Sequence, residues 1–104
     1  MPEKLVIIIF NANATASAMP PLAHVSIKGH EEVRWISPQG EASIQFKGGS
    51  PFASDHFVIP EGGSASTGPP IRGDIGRVYK YSIVGHIRDD RRDYVADPEV
   101  ILDE

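Results

Sequence analysis

Arg77-Val-Tyr-Lys-Tyr-Ser-Ile83 is the stretch that decides the fold class. Tyr79, Tyr81 and Ile83 fall on one side of an extended chain, and Val78, Lys80 and Ser82 fall on the other. Side chains alternate across a strand with a period of two, so this is the pattern of a β-strand with one face in a core. Two other segments repeat it. Glu32-Val-Arg-Trp-Ile-Ser37 puts Val33 and Trp35 on one face, and Ala42-Ser-Ile-Gln-Phe46 puts Ile44 and Phe46 on one face. Trp35, the single tryptophan, reads as a large core block on a central strand.

Working outward, Leu5-Val-Ile-Ile-Ile-Phe10 is β-branched and aromatic but too short for a helix. It reads as a strand buried on both faces or at the centre of a sheet. His24-Val-Ser-Ile-Lys28 alternates, His56-Phe-Val-Ile59 is short and stops at Pro60, and Val100-Ile-Leu102 closes the chain. Ser64 to Thr67 suits an edge strand. Between these lie Gly- and Pro-rich connections, with 10 glycines and 9 prolines in 104 residues. Residues 11–21, 47–54, 68–76 and 85–97 read as loops, with a short helical turn allowed near 89–95. About eight short strands with frequent turn signals predict an all-β sandwich or small barrel. No repeat or composition shift divides the chain, so a single domain over 1–104 is expected.

Composition narrows the function classes. There is no cysteine, which removes disulfides, thiolate nucleophiles, cysteine-based zinc sites and iron–sulfur clusters. The formal charge is -4. Arg88, Arg91 and Arg92 are interleaved with Asp89, Asp90 and Asp93, which reads as a solvated loop of mutually neutralising charges. A nucleic-acid partner, which needs a concentrated basic field, is not expected. Six apolar residues cannot span a bilayer, and no membrane partner is expected. The same run resembles a signal peptide in having Lys4 before it and alanines after it. It is shorter than the usual apolar region, and Glu3 stands where positive charge belongs, so a cytoplasmic location is expected. A periplasmic or secreted location follows if a leader has been removed.

At Val78 to His86 the residues resemble a known pattern. Val-Tyr-Lys-Tyr-Ser-Ile-Val-Gly-His is similar to the cupredoxin segment in which an aromatic strand runs to a copper-binding cysteine, with a histidine ligand three residues later. Asp97 to Leu102 resembles that family's last strand. Phe57-Val-Ile-Pro-Glu-Gly-Gly63 resembles its strand and turn, and Gly29-His-Glu-Glu-Val-Arg-Trp35 resembles the entry to its third strand. The resemblance implies a cupredoxin-like Greek-key β-sandwich of the plastocyanin type. It places His86 on the second histidine ligand, Ile83 on the cysteine, and Ala42 or Ser43 on the first histidine. No methionine follows, because Met1 and Met19 are the only two. A blue-copper centre needs a thiolate, two imidazoles and a weak axial ligand, so the family's electron-transfer activity does not carry over.

What remains is a short set of candidates. The four histidines are His24, His30, His56 and His86. His56 beside Asp55, and His86 near Asp89 and Asp90, are the pair for a copper or zinc site unlike blue copper. Ser50, Ser54, Ser64 and Ser66 lie near glycines, but no nucleophile elbow, phosphate-binding loop or EF-hand spacing is present. A catalytic role is therefore not expected. The favoured reading is a non-catalytic interaction or assembly module, acting through a protein partner or self-association. Phe52 and Tyr94, aromatics within long loops, are its candidate contact residues, set against the alternative that each folds back to cap the core.

Overall fold

The computed structural model describes residues 2–104. Ten strands form, and among the described residues there is no helix: β1 (Glu3–Phe10), β2 (Ala16–Met19), β3 (Leu22–Ser26), β4 (Glu32–Ile36), β5 (Glu41–Phe46), β6 (His56–Ile59), β7 (Ser64–Ser66), β8 (Val78–His86), β9 (Tyr94–Ala96) and β10 (Glu99–Asp103). They assemble into two mixed sheets. One has the order β2-β1-β4-β7. The other has the order β3-β10-β8-β5-β6, with β9 added to β8. The expectation of an all-β sandwich is met, with two strands more than the eight expected.

β8 organises the larger sheet because it is the longest strand and has the strongest alternation. Tyr79, Tyr81, Ile83 and Gly85 point inward. One edge pairs with β5 along six residues, from Glu41↔His86 to Phe46↔Tyr81. The other edge is shared. β10 covers its first part through Val100↔Tyr79, and β9 covers its last part through Gly85↔Tyr94. Each sheet also contains a parallel pair, β1 with β4 and β10 with β3.

The core between the sheets is centred on Trp35, Phe46 and Tyr81. Trp35 packs edge-on against Tyr81, with centroids 5.5 Å apart, and Phe46 lies 5.1 Å from Tyr81. Trp35 is the indole block expected, and its Nε1–H donates to the Tyr81 hydroxyl at 3.1 Å. Both polar ends are thereby satisfied inside the core, as buried Trp and Tyr require. Burial pushes the Tyr81 phenol up to about 12, against a smaller opposing effect of the Trp35 hydrogen bond.

Two expectations need correction, and a third resolves between its alternatives. Residues 16–19 are a strand, not loop. Ala16, Ser17, Ala18 and Met19 have weak strand preference, and β2 exists because β1 offers it an edge through Ile7↔Met19 to Phe10↔Ala16. Residues 94–96 are also a strand, formed where β10 no longer covers β8, and no helical turn forms nearby. For β1 the second of the two expected placements is met: it lies inside its sheet, between β2 and β4, and is covered on one face only. Val6, Ile8 and Phe10 are buried, and Leu5, Ile7 and Ile9 are exposed.

Candidate functional site

The four residues singled out from the sequence go to different places. His86 ends β8 and pairs with Glu41 at the start of β5; His56 begins β6 and pairs with Gln45 near the other end of β5. Four residues of strand separate their registers by about 13 Å, on opposite edges of β5. The structure does not bring them together. Among the described residues no group of three His, Asp or Glu side chains is arranged to hold a metal ion. His86 Nδ1 instead lies 3.1 Å from an Asp93 carboxylate oxygen, with both side chains largely exposed.

Phe52 is fully buried, with its ring 5.9 Å from that of Phe46. Tyr94 is also buried and stacks on Phe10, with centroids 4.9 Å apart and planes 10° from parallel. Neither ring is presented to a partner. Both aromatics fold back into the core, as the capping alternative has it. Gly85 makes the Phe10 stack possible: a Cβ there would collide with the Phe10 ring.

The charged loop before Tyr94 is more ordered than a merely solvated one. Asp90 Oδ1 accepts from the Arg92 backbone N–H at 2.9 Å, and Oδ2 accepts from Arg92 Nη2 at 3.0 Å and the Tyr94 hydroxyl at 2.8 Å. Arg92 Nη1 donates to the Ala12 carbonyl at 3.2 Å and so ties this loop to the turn after β1. The Arg92 side chain, then its backbone N–H, then Tyr94 hold the Asp90 carboxyl well below the usual carboxylate range.

The surface most unlike an ordinary one is the outer face of the four-stranded sheet. Leu5, Ile7 and Ile9 project from β1 with 53%, 42% and 40% of their surface exposed, and Met19 projects from β2 with 54%. Register makes them contiguous. Ile7 lies between Met19 of β2 and half-buried Ile36 of β4, so an apolar row crosses three strands. Leu5 and Ile9 extend it along β1 on either side. The rim is polar: Arg34 Nε donates to Glu3 at 2.7 Å, and the Ser66 hydroxyl donates to Glu32 at 2.6 Å. The Glu3–Arg34 charges cancel, and the Glu32 carboxylate keeps its charge while accepting from Ser66. The exposed apolar area is roughly 400 Å², within the size range at which a patch on a small protein is often functional.

Sequence reasoning passed over Leu5, Ile7, Ile9 and Met19 as contact residues. One signal was present. A strand with one solvated face ordinarily alternates apolar and polar residues, and residues 5–10 carry no polar residue at all. Such a strand is either covered twice or open to a partner.

No protein-family model matches the chain, and no curated protein or solved structure matches it. No helix among the described residues is long and apolar enough to cross a membrane.

Proposed function

We infer that this chain is a non-catalytic, cupredoxin-like interaction domain without a blue-copper site, and that it self-associates through the outer face of β2, β1 and β4. The observation that carries this reading is the apolar row Met19–Ile7–Ile36, flanked by Leu5 and Ile9, on the open side of a sheet whose other side is fully packed. The cupredoxin-like part draws support from the two mixed sheets with parallel pairs β1–β4 and β3–β10. It draws support also from the placement of His86 at the end of an aromatic strand, with Ile83 buried where the family has its thiolate.

A second copy is the occupant that suits the face. Sheets pack face to face with side chains interdigitating at about 10 Å, and a ridge of unbranched and β-branched aliphatics can mesh with its own symmetry mate. A standard interface covers about 800 Å² per partner, so the apolar row would form the centre and the Glu3–Arg34 and Glu32–Ser66 pairs the rim. The Glu3–Arg34 pair cancels its own charges at the rim.

Sedimentation velocity from micromolar to millimolar protein tests this. The expected result is a reversible monomer–dimer equilibrium that Ile7→Lys abolishes without changing the near-ultraviolet spectrum of the core aromatics. A monomer throughout the range, or a dimer that Ile7→Lys leaves intact, overturns the reading. A copper or zinc role shared by His86 and His56 has no support in their placement. In calorimetric titration of chelator-stripped protein with Zn²⁺, His56→Ala is expected to match the wild type. A stoichiometric uptake lost in both His86→Ala and His56→Ala would restore it.

A further inference from the structure

At the end of the sandwich away from His86, residues 47–55 and 68–77 wall a cleft of about 340 Å³. The two loops are clipped together. The Ile71 and Arg72 amides both donate to the Pro51 carbonyl, at 2.7 and 3.2 Å, and Arg72 Nη1 donates to the Phe52 carbonyl at 3.1 Å. The buried Phe52 ring anchors the first loop, and the Gly76 amide, donating to Leu102 at 2.7 Å, anchors the second. The walls are therefore preorganised rather than loose.

Among the described residues the guanidiniums in the cleft have no carboxylate partner. Arg77 lies over the Tyr79 ring, 4.8 Å from its centroid, and Arg72 is held by carbonyl groups only. Among the described residues, the arginines in ion pairs are Arg34 and Arg92, so neither guanidinium in the cleft is neutralised. Tyr79 is only 5% exposed, and its hydroxyl has no hydrogen-bond partner among the described residues. No enclosed side-chain N or O among the described residues lacks a partner, so this hydroxyl opens to the cleft that its residue lines. Gly73, at φ +117°, leaves room for it: a Cβ there would strike the hydroxyl oxygen. Open to the cleft, this hydroxyl is reached by water, whose place a ligand oxygen can take. Asp55 and Asp74 also line the cleft, without ion-pair partners of their own.

Two guanidiniums and a phenol O–H suit an oxyanion with several oxygens, because the guanidinium fork matches carboxylate and phosphate geometry. Two carboxylates close by disfavour a bare anion and favour a ligand that also carries positive charge. The cleft, of about 340 Å³ and open to solvent, has room for a small ligand. We propose that this cleft binds a small zwitterion, its phosphate or carboxylate on Arg72, Arg77 and the Tyr79 hydroxyl and its ammonium group toward Asp55 and Asp74.

Phosphoethanolamine is a probe of this class, and inorganic phosphate supplies the anion alone. In amide-shift titrations of the full chain, phosphoethanolamine is expected to saturate, with shifts confined to Gly48, Gly49, Gly73 and their neighbours. It should bind about tenfold or more tightly than inorganic phosphate. Arg77→Gln, an exposed change, should weaken it at least tenfold. Tyr79→Phe keeps the ring under Arg77 and should weaken it by a smaller factor, and Asp74→Asn should erase the preference over phosphate. Absence of saturable shifts, shifts unchanged in Arg77→Gln, or equal affinity for the two probes would each overturn the proposal.

Discussion

β1 carries the same kind of side chain on both faces, and the two faces meet opposite surroundings. Val6, Ile8 and Phe10 lie against Trp35, Ala18, Gly85 and Tyr94, while Leu5, Ile7 and Ile9 lie against solvent. Hydrophobicity alone does not distinguish the faces. Register does: Val6 pairs with Trp35 and Ile8 with Ala18, residues that themselves point into the core, so the inward set is chosen by its neighbours. A shift of one residue would exchange the sets. The opposite face is then free to be apolar for a reason other than folding. Truncation should separate the two roles. Ile8→Ala removes a fully buried side chain and is expected to cost about 2–5 kcal/mol in urea denaturation. Ile7→Ala is expected to stay within about 0.5 kcal/mol of the wild type and to weaken dimerisation instead. Equal losses of stability from both would mean that Ile7 belongs to the monomer's own packing and would remove the case for a docking face.

The comparison sharpens at the Trp35–Tyr81 pair, where the inward face of β1 meets the centre of the core. Tyr81→Phe leaves the Trp35 N–H without its acceptor in a site that excludes water, at an expected cost of about 1–3 kcal/mol. The same pair gives a pH signature. Burial raises the Tyr81 phenol to about 12, so the folded protein retains a proton that the unfolded chain releases near the ordinary tyrosine value. Stability from this group is complete below about pH 10, and it declines as pH rises toward 12, by up to about 3 kcal/mol. Denaturation midpoints at pH 9 to 12 should fall more steeply in the wild type than in Tyr81→Phe. Parallel curves would show that Tyr81 does not sense the core in this way. Ile7 variants should leave the curve unchanged.

The same distinction explains what is legible in the sequence. Strands whose large residues alternate with polar ones, such as 32–37, 42–46 and 77–83, announced both their conformation and their inward face. Residues 5–10 announced a strand but no face, because a continuous apolar run has no period of two to read. Residues 16–19 announced neither, since their side chains are small and their strand depends on β1 for its edge. The candidate sites failed for a related reason. His86 read as a loop residue and is instead the last residue of β8, and its distance from His56 depends on how β5 registers against β8 and β6, which no local pattern encodes. Phe52 and Tyr94 were visible as loop aromatics, yet whether a loop aromatic points out or in is decided by what lies beneath it. Beneath Tyr94 is Phe10, seated on Gly85. The cleft at Tyr79 joins loops 20 residues apart through the Pro51 carbonyl, again a contact with no local signature.

The smallest effect is expected at the far end of β1's buried face, where Tyr94 closes over Phe10. There the cover is β9, a strand of only three residues, and Asp90 in the loop before it accepts from Arg92 and from the Tyr94 hydroxyl. Asp90→Asn retains the shape but loses the charge, and it should loosen residues 88–93 with little change in global stability. Proton release follows the same logic. The folded state depresses the Asp90 carboxyl, so its contribution is present above the ordinary aspartate value near pH 4 and is lost as pH falls through the folded value. The ring-current shifts of Phe10 and Tyr94 report the stack directly. They should weaken in Asp90→Asn at neutral pH, and the wild type should keep them at pH values where ordinary aspartates are already protonated. If the substitution leaves both rings unshifted, the stack on Gly85 is sufficient by itself, and the inward face of β1 is closed by packing along its whole length.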